Sequence, residues 1–283
     1  MRKILWAIVA LLATVCSTIA GTTNPKARPS LQTDGRVDIT YELRFWFIPF
    51  GHTNYHVTYD NSTYQATSHF NTSGLVSVFW QAQITAGVSG WLSGHKIAPF
   101  IYDSYARRST GKIQKVKLTF QKRGPPILLA NPPYNTKRYP VSVKEQEAGI
   151  DPMSAISFIL TGVSATPQQP CGRVVRVFDG RRRYDIAFSF LHDEKASRNH
   201  LQGVSKEYVC ALSYRQIAGF KPNLLRGKSH WPPIYARVAE IKTTSAPLER
   251  YVVPVELWAD TDWGRVSAHL TNLRIDGRTR LHR

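Results

Sequence analysis

Two cysteines, Cys171 and Cys210, bracket the segment that most restricts how this chain can fold. Between them, Asp179-Gly180 stands where two runs of alternating apolar and polar residues meet. Asp-Gly is a favoured pair for the centre of a two-residue type I′ turn, because the twist of that turn matches the twist of paired strands. The segment therefore predicts a β-hairpin.

The turn type fixes which hairpin residues share a face. A turn centred on Asp179-Gly180 places Val177 opposite Arg182. One face is then apolar and consists of Val175, Val177, Tyr184, Ile186 and Phe188. The other face is polar and carries Arg176, Arg183 and Asp185, so we expect Asp185 to pair with one of the two arginines.

The chain opens with a segment typical of a secretory signal peptide. Arg2 and Lys3 precede an apolar run over residues 4–15, and small residues follow up to Ala20. We predict cleavage after Ala20, so that residues 1–20 form the leader. Lipid attachment at Cys16 is the alternative. Bacterial lipoprotein sites need a small residue before the cysteine, whereas the residue before Cys16 is the branched Val15.

Export has consequences for the rest of the chain. Residues 21–35 are rich in Thr, Pro, Ser and Gly and predict a flexible tail. Residues 36–283 predict a single β-rich domain, and no later apolar run is long enough to span a membrane. We expect the protein in the periplasm, where Cys171 and Cys210 can form a disulfide.

The charge of the chain favours an anionic partner. The net charge is +18 and falls to +16 when Arg2 and Lys3 leave with the leader. For an exported protein the expected partners are an anionic lipid, lipopolysaccharide or an envelope protein. The arginines lie in no recognisable nucleic-acid module, so nucleic acid is not an expected partner.

Strand patterns dominate the chain. Residues 37–50 are apolar in both alternating sets, which predicts one strand covered on both faces. Residues 112–122 alternate cleanly, which predicts a strand with one face in water. Further strands are predicted at 207–217, 234–243, 250–258 and 265–275, and the last should carry a bulge near Asn272.

Two helices are predicted. Asp151 can cap a helix that begins at Pro152 and ends at Gly162. A second helix is predicted from Ser73 to Ala82. The fold class is therefore mainly β, with a strongly curved or closed antiparallel sheet, barrel or spiral-like, and one or two short helices.

Patterns for catalysis and metal binding are weak. Ser93 and Ser109 each begin a Ser-x-x-Lys tetrad, but both tetrads contain glycine and lie in predicted turns. His192, Asp193, Glu194 and His200 cluster in a polar segment without zinc-ligand spacing. We predict no catalytic residue, no metal site and no cofactor.

Two groups of residues are candidates for ligand binding. Guanidinium groups form paired hydrogen bonds with phosphate or carboxylate, which makes Arg176 and Arg183 candidates for an anionic group. A curved sheet can also hold an apolar ligand in its concavity. The candidates there are Tyr41, Phe45, Trp46 and Phe47.

The middle of the chain resembles a known bacterial family. Ile150-Asp-Pro-Met-Ser-Ala-Ile156, Cys171 and Val177-Phe-Asp-Gly-Arg-Arg-Arg-Tyr184 are similar to the signature of domain of unknown function 3108. Weaker likenesses follow the same order at 73–75, 99–102, 112–120 and 254–256. The chain departs from the family pattern at 45–50, where aromatic residues replace a more glycine-rich stretch. The resemblance implies an envelope protein of Gram-negative bacteria with a curved β fold and no established activity.

Taken together, these features predict a non-catalytic periplasmic envelope protein that binds an anionic amphiphile or an envelope protein. One alternative is a hydrolase of cell-wall or lipid polymers. Another is a structural envelope-integrity factor without a small ligand. The sequence leaves the oligomeric state open.

Overall fold

A computed structural model describes residues 35–60, 62–74, 77, 81–93, 96–162, 171–196, 201–222, 224–225, 232–243, 248 and 250–281. The predicted leader at 1–20 lies outside the described residues, as does the predicted tail apart from Gly35. Half of the helix predicted at 73–82, namely residues 75–76 and 78–80, also lies outside them.

The described chain is mainly β, as predicted. Two helices are present in it, α1 (Val143–Glu147) and α2 (Pro152–Leu160). The strands are β1 (Gly35–Phe45), β2 (Ile48–Tyr59), β3 (Thr63–Thr72), β4 (Ala82–Ser93), β5 (Lys96–Arg108), β6 (Ile113–Thr119), β7 (Ile127–Asn131), β8 (Arg173–Phe178), β9 (Arg183–Lys195), β10 (Lys206–Ala218), β11 (Ile234–Lys242), β12 (Arg250–Thr261), β13 (Gly264–Ile275) and β14 (Arg278–Thr279).

All 14 strands belong to one antiparallel sheet. Its order is β7-β6-β5-β4-β3-β2-β1-β13-β12-β11-β10-β9-β8, with β14 paired to β13. Each strand lies beside its neighbour in sequence except β7 and β8, which stand at the two ends of the order, and β13 returns to pair with β1. The hydrogen-bonded order ends at β7 and β8, so the sheet is open and not closed into a barrel.

The sheet curls around helix α2. The helix contacts β3, β4 and β5 from one half of the sheet and β8 and β12 from the other. A flat sheet could not bring these strands to one helix. Apolar side chains of both halves join Met153 and Leu160 of the helix in one buried cluster. The concave face is therefore occupied by α2 and by packed side chains.

Helix α2 begins and ends as predicted. Asp151 is the N-cap, and its side chain accepts hydrogen bonds from the backbone N–H groups of Met153 and Ser154, both at 2.9 Å. Pro152 occupies the first helical position. Gly162 follows the C-cap with φ of +63°, a left-handed conformation that suits glycine.

The single strand predicted at 37–50 is wrong. The chain turns at Trp46-Phe47, and Phe45 pairs with Ile48 across that turn. In β1 one set of side chains is buried and the other set is half-buried or exposed. The long apolar run misled the prediction, because it contains the aromatic tip of a hairpin as well as a strand.

The β8–β9 hairpin forms, but its predicted register is wrong. Val177 pairs with Tyr184, two residues further along than predicted. The Asp179 carboxylate accepts hydrogen bonds from the N–H groups of Arg181 and Arg182, which moves the centre of the turn to Gly180-Arg181. A shift of two residues preserves the side-chain alternation, so the predicted apolar and polar faces are confirmed.

The last long strand carries the predicted irregularity. Thr40 of β1 pairs with Asn272, whereas the next residue, Tyr41, pairs with Leu270. Thr271 is the extra residue, so the bulge predicted near Asn272 is confirmed. In a regular strand, residues an odd number of positions apart face opposite sides of the sheet. The bulge reverses this alternation, which explains why both Ala268 and Leu273 are buried.

Candidate functional site

A pocket of about 260 Å³ lies between α1 and the polar face of strands β8, β9 and β10. Charged side chains dominate its lining. The residues are Lys144, Glu145, Ala148, Arg176, Arg183, Asp185, Arg215 and Ile217, and we refer to this set as the arginine pocket.

The sheet register brings the arginines together. Arg176 of β8 pairs with Asp185 of β9, and Asp185 pairs with Arg215 of β10. Directly opposed residues of neighbouring strands project to the same face. Arg183 lies two residues before Asp185 and shares this face. Three arginines from three strands therefore surround one carboxylate.

Asp185 holds two of these arginines in place. Its Oδ1 accepts a hydrogen bond from Arg183 Nη1, and its Oδ2 accepts one from Arg215 Nη2, both at 2.6 Å. Burial opposes ionisation of Asp185, but the hydrogen bonds from Arg215 and Arg183 outweigh it and hold the pKa of the carboxyl below its ordinary value. Asp185 was expected to pair with Arg176 or Arg183, and the structure pairs it with Arg183.

Arg183 is a buried cation whose Nε–H is poorly aligned with its nearest carboxylate. Its side chain is only 3% exposed. The Nε atom lies 3.2 Å from Glu145 Oε2, but it has no aligned hydrogen-bond acceptor among the described residues. Arg183 therefore already lies between two carboxylates, Asp185 at Nη1 and Glu145 near Nε.

The pocket carries an excess of positive charge. Its lining holds four cations and two carboxylates. Lys144 and Arg176 are exposed, and no ion pair of either is found in the described part of the chain. The arrangement is suited to bind a phosphate or carboxylate group, with Arg176 and Lys144 free to reorient toward it.

The structure separates the predicted aromatic candidates. Tyr41 is buried, donates a hydrogen bond from its hydroxyl to the carbonyl of Pro254 at 2.7 Å, and has its pKa raised by burial. Phe45 is half-buried, whereas Trp46 and Phe47 are exposed at the β1–β2 turn. These four side chains do not line one concavity.

Sequence reasoning missed part of the arginine pocket. Arg215 lies on a predicted strand and could have been found by extending the hairpin register to the next strand. Lys144 and Glu145 come from α1, which was not predicted. Only the packing of that short helix against the hairpin brings them to the pocket.

The sequence candidates for catalysis are dispersed. Ser93 ends β4, and Ser109 lies in the β5–β6 turn. His192 contacts Glu194 at 3.1 Å, Asp193 pairs with Lys206, and His200 lies outside the described residues. Within the described ranges no group of three metal-binding side chains is present. No helix there is long and apolar enough to cross a membrane.

One hydroxyl–imidazole–carboxylate arrangement was not expected. Ser267 Oγ lies 2.9 Å from His269 Nε2, and His269 Nδ1 lies 3.8 Å from Glu256 Oε1. Ser267 is only 3% exposed. It pairs with Arg44 on one side and Trp258 on the other, so the neighbouring backbone N–H groups are used by the sheet.

The two cysteines are joined, as predicted. Cys171 and Cys210 form a disulfide with their Cα atoms 6.1 Å apart. Both lie in a small buried cluster with Leu212, Ala236 and Val238. The bond fixes the start of β8, and with it one wall of the arginine pocket.

Comparisons with known proteins return a family model and a solved structure of low similarity. A family model described as "Protein of unknown function (DUF3108)" matches residues 37–271. A solved structure from Brucella abortus, a beta-barrel-like protein of domain of unknown function DUF1849, is 7% identical and has a TM-score of 0.41. The alignment covers 87% of this chain and 99% of that chain. No curated protein matches the sequence. Because the family model spans nearly all of the sheet, the chain belongs to the DUF3108 family.

Proposed function

We propose that this protein is a non-catalytic periplasmic envelope protein that binds the anionic head group of an envelope amphiphile in the arginine pocket. The arrangement of Arg176, Arg183 and Arg215 around a small cavity carries this proposal. The signal-peptide pattern at residues 1–20 and the basic net charge support the compartment and the sign of the ligand.

The size of the pocket favours a head group over a whole lipid. Sites for drug-sized ligands occupy roughly 300–1,000 Å³. The arginine pocket has about 260 Å³, enough for a phosphate or carboxylate group with its nearest atoms. Because α2 and core side chains occupy the concave face, we place the ligand on the outside of the sheet.

The charges are organised before a ligand arrives. Asp185 already orients Arg183 and Arg215, so these guanidinium groups lose little freedom on binding. The exposed Arg176 and Lys144 can then close on the ligand. This division between fixed and mobile cations is suited to reversible capture of an anion.

Loss of the cations should weaken binding. The Arg176→Ala/Arg215→Ala double variant is expected to bind dihexanoyl phosphatidylglycerol at least ~10-fold more weakly than the unmodified protein, because each charge-assisted hydrogen bond contributes about 1.5–3 kcal/mol. Isothermal titration calorimetry below the micelle concentration of the lipid measures this. Binding should also weaken as salt is added.

A matched control distinguishes binding in the arginine pocket from non-specific attraction to the basic protein surface. Arg123 is exposed in the β6–β7 connection and does not line the pocket, so Arg123→Ala should leave the affinity unchanged. Equal binding by the double variant and the unmodified protein would refute the head-group proposal. Crosslinking in cells to an envelope protein, with no lipid bound, would instead support the protein-partner alternative.

Hydrolysis is a second candidate function, favoured by the Ser267–His269–Glu256 arrangement. The burial of Ser267 and the paired backbone around it argue against it, because a nucleophile needs access and oxyanion donors. A fluorophosphonate probe tests this directly. We expect no labelling, and labelling that Ser267→Ala abolishes would establish the hydrolase.

A further inference from the structure

Two hairpin turns lie side by side at one end of the sheet. The β1–β2 turn contains Trp46 and Phe47, and the β12–β13 turn contains Trp263. Because β1 pairs with β13, Phe45 lies opposite Val266. The N–H of Trp46 donates a hydrogen bond to the carbonyl of Arg265 at 2.7 Å, which joins the two turns directly.

These turns expose large apolar side chains together. Trp46 is 58% exposed, Phe47 77%, Ile48 40% and Trp263 56%. We refer to these four residues as the aromatic tip. Single exposed apolar residues are ordinary on protein surfaces, but a contiguous group marks an interaction site more often.

The backbone of the turn does not explain its aromatic residues. Trp46 has φ of +58°, and in a two-residue hairpin turn glycine is preferred at this first position. A bulky residue with positive φ is uncommon and indicates a constraint other than turn formation. The Trp46 indole lies over Gly264, where a Cβ atom would collide with it. That contact orients the ring but leaves more than half of the side chain in solvent.

Basic side chains lie at the same end of the sheet. In an antiparallel meander, alternate turns share an end, so the β5–β6 and β8–β9 turns lie at the end that carries the aromatic tip. The exposed cations of these two turns include Arg107, Arg108, Lys112 and Arg181. Beside the tip itself, Arg44 pairs with Glu42 and Arg265 with Asp260, and Asp262 in the β12–β13 turn adds one exposed carboxylate.

We infer that the aromatic tip inserts into the head-group region of an anionic lipid bilayer. The tip is a projection formed by two turns, which suits a soft planar interface. Tryptophan is favoured at membrane interfaces, because its ring is apolar and its N–H can remain hydrogen-bonded. The cations of the β5–β6 and β8–β9 turns, further along the same end of the sheet, are attracted to anionic lipids and would orient this end toward the membrane.

This inference stands apart from the arginine pocket. The aromatic tip would act by inserting apolar side chains of the β1–β2 and β12–β13 turns. The arginine pocket lies on strands β8, β9 and β10. The topology nevertheless places Arg183, near the start of β9, toward the same end of the sheet as the tip.

Vesicle flotation tests the inference. The purified protein is mixed at low salt with vesicles of phosphatidylcholine containing about one quarter phosphatidylglycerol. The Phe47→Ser/Trp263→Ser variant should need roughly tenfold more lipid for half-maximal binding, because two inserting side chains are lost. A blue shift of tryptophan emission on vesicle binding should accompany flotation of the unmodified protein and diminish in the variant.

A matched control uses apolar residues of similar exposure on the edge strands. Leu129 is 63% and Val174 61% exposed, so Leu129→Ser/Val174→Ser should bind vesicles like the unmodified protein. Equal loss in both double variants, or no loss in the tip variant, would overturn the inference. Self-association that the tip variant abolishes would also overturn it, since the tip would then bind a second copy.

Trp46→Gly separates folding from docking. Glycine suits φ of +58°, so this variant should melt at the same or a higher temperature and yet bind vesicles more weakly. A variant that melts lower and binds vesicles normally would assign Trp46 a purely structural role. The tip variants should keep the calorimetric affinity for dihexanoyl phosphatidylglycerol, so failure of the pocket proposal and failure of this one are distinguishable.

Discussion

Replacing Cys171 and Cys210 together by alanine should lower the free energy of unfolding by about 4 kcal/mol. The two cysteines are separated by 39 positions in the chain, and closing a loop of that length removes considerable entropy from the unfolded state. This is a large fraction of the ~5–15 kcal/mol that stabilises typical domains.

The position of the disulfide explains why its loss should also destabilise the strands next to it. Cys171 lies just before β8, the last strand at one end of the sheet order, which pairs with β9 and is bridged on its other side by Ile150. Cys210 lies in β10, on the far side of β9. The bond thus anchors the edge of the sheet to an inner strand, and β8 carries Arg176 of the arginine pocket.

Denaturant unfolding of the oxidised, reduced and doubly substituted proteins measures this effect. The reduced protein and the alanine variant should unfold at a similar, lower denaturant concentration than the oxidised protein. Hydrogen exchange should accelerate first in β8. An unchanged midpoint in both altered proteins would contradict the expected stabilisation.

The second large effect is a pH dependence caused by Asp151. The carboxyl is fully buried, and burial raises its pKa to about 6 despite the hydrogen bonds from Ser154 and Met153. Its ordinary value in an unfolded chain is about 3.9. A raised folded-state pKa means that the native state favours the protonated form, so stability is lost as the pH rises from about 4 through about 6.

The neutral variant Asp151→Asn should lack this loss. Asparagine also caps helices well, so the N-cap of α2 is retained. Relative to the variant, the unmodified protein should lose on the order of 2 kcal/mol of unfolding free energy between pH 4 and pH 7. Comparing the two proteins cancels the contributions of other carboxylates, and parallel stability curves across this range would contradict the expectation.

The hydrogen bonds around Asp151 explain why protonation of its carboxyl should affect stability. Ser154 donates a hydrogen bond to the Asp151 carboxylate, and the Tyr64 hydroxyl lies 2.6 Å from Ser154 Oγ. One turn later, the Tyr55 hydroxyl lies 2.6 Å from Ser157 Oγ. The polar side of α2 is thus tied to β2 and β3 inside the sheet, where a charge has little access to water.

Local patterns in the sequence were sufficient to predict the structure wherever residues close together in the chain determine it. The cap at Asp151, the stop at Gly162 and the two faces of the β8–β9 hairpin depend on backbone chemistry and on alternation. The bulge near Asn272 was visible because the apolar alternation changes phase there. The turn at Trp46-Phe47 was missed, since aromatic residues give no turn signal.

The sequence by itself determined a mainly antiparallel β chain, the capped helix, the pairing of Cys171 with Cys210 and the shared face of Arg176 and Arg183. Only the tertiary structure decided that the sheet stays open, that α2 occupies its concave face and that Arg215 and Lys144 complete the pocket. Alternation has the same period whether a buried face meets a ligand, a helix or another sheet. Contacts between strands distant in sequence are set by the packing of the whole sheet, and no local pattern encodes them.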